Sequence, residues 1–219
     1  MRFSPKRLFS LAALTAGLMS AAVPSFAQAE PDAEMIVAKV KAQLDKIESL
    51  SCSFEREHIW KTMDRAQNIA GTIRLKKPYK LRVEYPAQTI VVDGKSAWTY
   101  IPRNKQATVA KFKQSDAEYP TPQSIFKRYS QRKAEIIGLE SVNGKPADVL
   151  HLVPAGPNDI DVTVWIDRSL NFPVKSVEKN ASGDVTTSTL TDVILNGKIA
   201  DSVFTFQVPD GVRMVDMRK

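Results

Sequence analysis

The chain has 219 residues, 43% of them hydrophobic and 25% charged, with a formal net charge of +7. A single cysteine rules out an internal disulfide, and two histidines leave a zinc site short of ligands. The sequence holds no phosphate-cradling Gly-rich loop, no G-x-S-x-G elbow and no dinucleotide fingerprint.

The chain opens with Arg2, Lys6 and Arg7, followed by an apolar run from Leu8 to Val23. Ala27-Gln28-Ala29 offers an A-x-A cleavage site, with Ser25-Phe26-Ala27 as a second. This reads as a cleaved secretory signal peptide over 1–29 and a single mature domain over 30–219. The run is too short and too rich in small residues to span a membrane. Cleavage removes three basic residues and no acidic one, which lowers the charge from +7 to +4. Cys52 follows Ser49-Leu50-Ser51, a poor lipoprotein processing site, so the exported protein is expected to be soluble and unlipidated. An exported chain with no nucleic-acid motif is not expected to bind nucleic acid. Its basic spots, Lys76-Lys77-Lys80-Arg82 and Lys127-Arg128 with Arg132-Lys133, read as a solvated face or a surface for acidic partners.

The spacing predicts a helix from Asp32 to Ser49, with Ile36, Val37, Val40, Leu44 and Ile47 on one apolar stripe and Pro31 in its first turn. About eleven short strands follow, near 52–60, 67–76, 80–86, 89–93, 96–101, 106–112, 134–142, 146–153, 160–168, 173–179 and 185–195. Cys52 and Phe54 share a parity, which makes the cysteine a small core residue. In the second and third strands Ile73, Leu75, Leu81, Val83 and Tyr85 alternate with Arg74, Lys76, Lys80, Arg82 and Glu84. Lys77-Pro78 separates those strands. Asp93-Gly94, Asn143-Gly144, Ser182-Gly183 and Asn196-Gly197 mark turns. Thr121-Pro122 starts a second helix carrying Ile125, Phe126 and Tyr129, and a last helical turn falls at Ala200–Val203. Evenly spaced hairpin-connected strands predict a mainly β fold, an antiparallel sheet curling into a barrel or half-barrel, with two helices as a cover.

Candidates for chemistry are few. Asp159, Asp161 and Asp167 cluster near His151, and His58 stands beside Trp60. They read as turn and solvent-face residues, and no enzyme activity or cofactor is expected. A greasy concave face under a movable cover can instead hold an apolar ligand. Burying an acyl chain offers on the order of 10 kcal/mol before ordering costs. The candidate lining is Ile73, Leu75, Leu81, Val83, Ile90, Val92, Trp98 and Tyr100. The candidate cover is Ile36, Val40, Leu44, Ile125, Phe126 and Tyr129.

The ordered segments LSCSFERE, GTIRLKKPYKLRVEYP, IVVDGKSAWTYIP and DSVFTFQVPDGV resemble the periplasmic outer-membrane lipoprotein carrier family, LolA, over residues 31–219. The resemblance implies an unclosed antiparallel half-barrel with a helical lid. It implies a monomeric periplasmic chaperone with no cofactor. Its cargo would be the acyl chains of lipoproteins, taken from an inner-membrane ATP-driven exporter and passed to an outer-membrane receptor. It also implies a lid latch at Lys77, where family members carry arginine; lysine keeps the charge but lacks the planar fork of donors. Related readings are a carrier of another lipid or glycolipid, or a periplasmic lipid-sensing adaptor.

Overall fold

The computed structural model describes residues 32–113 and 119–218. The expected signal peptide and Pro31 lie outside the described residues.

Helix α1 spans Ala33–Lys46. Asp32 caps it, its carboxylate accepting from Glu34 N at 3.3 Å. The helix is shorter than its apolar spacing predicts. Ile47 is already extended, and the Asn196 side chain accepts from Glu48 N at 2.7 Å while donating to Lys46 O at 3.3 Å. Ser49 then joins β1 (Ser49–Trp60), where ladder bonds on both sides outweigh another helical turn.

β2 (Arg65–Lys76), β3 (Lys80–Tyr85), β4 (Gln88–Asp93), β5 (Ser96–Ile101) and β6 (Gln106–Lys111) form an antiparallel meander. Asp93 stabilises the β4–β5 turn, its carboxylate accepting from Lys95 N and Ser96 N at 2.7 Å each, while Gly94 takes φ +90°. Helix α2 (Pro122–Tyr129) begins at Thr121, which shares a reciprocal capping box with Ser124.

β7 (Ala134–Val142), β8 (Lys145–Leu152), β9 (Asp161–Asp167), β10 (Phe172–Lys179) and β11 (Val185–Leu195) form a second meander, and β11 pairs with β1. A 3-10 turn at Asp201–Phe204 stands where a last helical turn was expected. The twelfth strand, β12 (Arg213–Asp216), runs parallel to β6 and adds one strand to the eleven expected.

The sheet order is β12-β6-β5-β4-β3-β2-β1-β11-β10-β9-β8-β7, with β12 and β7 as its two ends. This is a mainly β, open half-barrel whose two helices pack on one face, called the inner face below. Ile36, Val40, Ile125 and Phe126 meet Leu150, Leu152, Val162, Val164 and Ile166 there in one buried cluster. Each such side chain contributes about 1.5–3 kcal/mol on burial.

The outer face of the first meander is covered by the segment that follows β11. Asp201 receives Lys76 and Lys80 at 2.6 and 2.9 Å, and Arg82 donates to Val203 O at 3.1 Å. Phe206 lies over Trp98 and Tyr100, with ring centroids 5.4 and 5.8 Å apart. Val91 on this outer face and Val92 within the inner cluster both have no exposed surface.

Candidate lipid-binding site

Strand register assigns each candidate lining residue to a face, because directly opposed residues share one. Ile73 opposes Val83, Leu75 opposes Leu81, Val83 opposes Ile90, and Leu81 opposes Val92. These six residues form one continuous patch, extended by Cys52 and Leu50 of β1, which oppose Ile73 and Leu75. It lies on the inner face, packed with Phe54 and Leu190. Trp98 and Tyr100 do not belong to it. Trp98 opposes Val91 and Tyr100 opposes Thr89, which places both on the outer face under Phe206. The expectation of a single eight-residue wall is corrected on this point. The β4 run Ile90-Val91-Val92 is apolar at both parities, so alternation could not tell the faces apart.

Ile73, Leu81, Val83 and Val92 are each at most 1% exposed, so the centre of the patch is closed in this structure. An apolar ligand can be admitted only by displacing what packs against them. The six cover residues fall together: Ile36, Val40, Ile125 and Phe126 are buried, and Leu44 and Tyr129 pack at the margin of the same cluster. Both helices lie chiefly over the second meander, β7 to β11. Leu44 also reaches the patch of the first meander.

Lys77 touches the cover directly. Its Nζ donates to Asp45 O at 3.0 Å, in the last turn of α1, and stands 3.4 Å from a Glu48 carboxylate oxygen. Its backbone N–H donates to Glu48 O at 2.8 Å. The last carbonyls of a helix have no intrahelical partner, so a cation placed there is favourable.

Gly71 sits where β2 and β3 approach closely. A Cβ added there would stand 2.0 Å from Glu84 O and 2.9 Å from Tyr85 Cβ. Its partner across β1 is Phe54, whose ring meets Tyr85 and Tyr119 edge-on at 6.5 and 5.6 Å.

The remaining titratable candidates have structural partners. Asp167 accepts from Ser169 N, Ser169 Oγ and Leu170 N. Asp159 accepts from Ala155 N and Ile160 N and pairs with Arg132 at 2.7 Å. His151 and Asp161 are 2.7 Å apart, and His58 meets Thr186 at 2.7 Å. Burial pushes the Cys52 thiol up to about 12. No cluster of three or more metal-ligating side chains occurs among the described residues. No helix of the described residues is long and apolar enough to cross a membrane, which says nothing of strands.

The chain is an open antiparallel half-barrel with a largely apolar inner face and two helices packed over its second meander. The family model for the outer membrane lipoprotein carrier protein LolA matches residues 45–207, and the chain belongs to that family. It is 25% identical to the outer-membrane lipoprotein carrier protein of Chromohalobacter salexigens, over 89% of this chain and 91% of that one. It is likewise 25% identical to the protein of the same description from Hahella chejuensis, over 95% and 96%. Among solved structures, an uncharacterised conserved protein from Thermus thermophilus shares the fold, with a TM-score of 0.54, 12% identity and coverage of 84% of this chain and 98% of that one.

Proposed function

We propose that this chain is a periplasmic carrier that encloses the acyl chains of lipoproteins between the sheet and its helices and delivers them to the outer membrane. The observation that supports this reading is the apolar patch of Ile73, Leu75, Leu81, Val83, Ile90 and Val92, reached by Leu44 of α1 and continuous with an inner face that both helices cover over the second meander, in a chain of the lipoprotein carrier family. Acyl chains entering that patch replace side-chain contacts with ligand contacts, and each methylene gains about 0.8 kcal/mol. Lys77 serves as the latch that favours the closed state. An inner-membrane ATP-driven exporter loads the carrier and an outer-membrane receptor unloads it. The signal peptide at 1–29 supplies the route to the periplasm, and the mature domain at 30–219 works as a soluble monomer without a cofactor.

Membrane vesicles holding an acylated lipoprotein provide the test. The purified protein is expected to draw that lipoprotein into the soluble fraction and to leave its unacylated form alone. Equal behaviour of the two forms, with neither solubilised, overturns the carrier reading.

A further inference from the structure

The inner face is not uniformly apolar. Across β1, β11 and β10, Arg56 opposes Ser188 and Ser188 opposes Ser176, so three polar side chains stand in one row. Ile69 borders the row on β2, and Val164 and Leu150 border it on β9 and β8. The next row toward the end of the sheet is His58, Thr186 and Glu178. A polar stripe therefore crosses an otherwise greasy wall.

Two features of the stripe call for a ligand. Arg56 Nε donates to Ser188 Oγ at 3.2 Å, and its guanidinium lies 5.3 Å from the centre of the Tyr119 ring. Its two Nη nitrogens meet no hydrogen-bond acceptor among the described residues, and no carboxylate there is within ion-pair distance. Ser176 is 1% exposed, and its buried hydroxyl has no partner. An unpaired buried hydroxyl is costly, and a ligand acceptor or donor would relieve that cost.

Glu178 and Arg128 complete the surroundings. Glu178 stands one row away, and burial raises its carboxyl above the usual range against the opposing pull of Arg128 and Arg56. Two arginines therefore face one carboxylate, and the balance at the stripe is positive. Desolvation lowers the Arg56 guanidinium from its ordinary value, the cost of holding a cation against this wall.

We infer that Arg56, Ser188 and Ser176 form a binding site for an oxyanion, a carboxylate or phosphate attached at the polar end of an acyl ligand whose chain lies on the neighbouring apolar patch. The guanidinium offers its two Nη nitrogens as a planar fork, and Ser176 adds a hydroxyl donor. This rests on the acyl-binding reading above and adds that the preferred cargo carries negative charge next to its chains.

Fluorescence titration with cis-parinaric acid and with its uncharged methyl ester separates the two ideas. The acid is expected to bind the wild-type protein about tenfold more tightly than the ester, as one charge-assisted hydrogen-bonded contact provides. Arg56→Gln is expected to bring that ratio near one while leaving the affinity for the ester unchanged. Ser176→Ala is expected to lower the ratio about threefold and carries the test if Arg56→Gln does not fold. Competition by lysophosphatidic acid against monoacylglycerol asks the same question of a phosphate. A preference for the charged member of either pair, lost in the variants, supports the site and tells carboxylate from phosphate. Equal wild-type affinities within both pairs, or a variant that weakens charged and uncharged ligands alike, overturns the site while the acyl-binding reading stands. Failure of every ligand to bind overturns both.

Discussion

Lys77 Nζ donates to the carbonyl oxygen of Asp45 at 3.0 Å, joining the β2–β3 turn to the last turn of α1. A side chain on the sheet thus holds the C-terminal end of a covering helix. Lys77→Leu removes this bond, worth about 1 kcal/mol and less for a partly exposed pair. Amide exchange in the last turn of α1 is expected to quicken several-fold, with global stability nearly unchanged. In the vesicle assay the same variant is expected to load cargo and to hand it on slowly. Normal handover would remove Lys77 from the mechanism.

Cys52 is 4% exposed and its thiol is pushed up to about 12, so almost no thiolate exists at pH 8. Iodoacetamide is expected to leave the folded protein unmodified and to alkylate Cys52 fully in denaturant, as read by intact mass. Rapid labelling without denaturant would show that the inner face opens far more often than this packing implies.

Gly71→Ala places a methyl group 2.0 Å from Glu84 O, a backbone atom that cannot step aside without moving β3. A loss of about 3 kcal/mol is expected in urea unfolding, at the upper end of overpacking costs. Tyr85 and Phe54 meet beside the glycine, so the near-ultraviolet circular dichroism should change as well.

Trp98 and Val83 differ by the face they occupy. Trp98→Ala is expected to loosen the segment around Phe206 and cost about 2 kcal/mol, with acyl binding within twofold of wild type. Val83→Ser places a hydroxyl in the inner patch and is expected to weaken acyl binding about tenfold. The reverse pattern in a parinaric acid titration would put the acyl site on the outer face.

Asp201 is held down to about 2, first by its hydrogen bonds to Lys76 and Lys80 and then by their charges. A depressed carboxyl contributes stability that is fully present above its unfolded value of about 3.9 and is lost as pH falls through about 2. Carbon-detected NMR titration is expected to show Asp201 titrating well below the ordinary aspartate value. Lys76→Met with Lys80→Met is expected to return it toward its ordinary value.

Much of the sheet was legible in the sequence, because alternation in β2 and β3 and turn dipeptides such as Asp93-Gly94 are local signals. Thr121-Pro122 announced α2 for the same reason. The end of α1 was not legible, since Asn196 decides it from nearly 150 residues away. β12 escaped because four residues, Arg213-Met214-Val215-Asp216, carry no clear alternation and pair in parallel with a strand far back in the chain. The faces of Trp98 and Tyr100 are not legible in the sequence, because Phe206 makes the outer face apolar there too. The Arg56–Ser188–Ser176 row exists only through strand register, and no spacing in the sequence could announce it.

The burial of both Val91 and Val92 has a mechanical consequence. A strand clamped from front and back cannot bow outward without breaking contacts on two sides, so the first meander acts as a fixed jaw. Opening then falls to the helical side, where α1 and α2 rest on apolar contacts that can slide and re-form. Spin labels at the exposed Arg103 and Asp210, which leave the Trp98–Phe206 contact in place, are expected to keep their separation when ligand enters, while the distance from either to α2 grows. A one-sided stroke is the expected outcome, with the strap across the back fixing which side stays still.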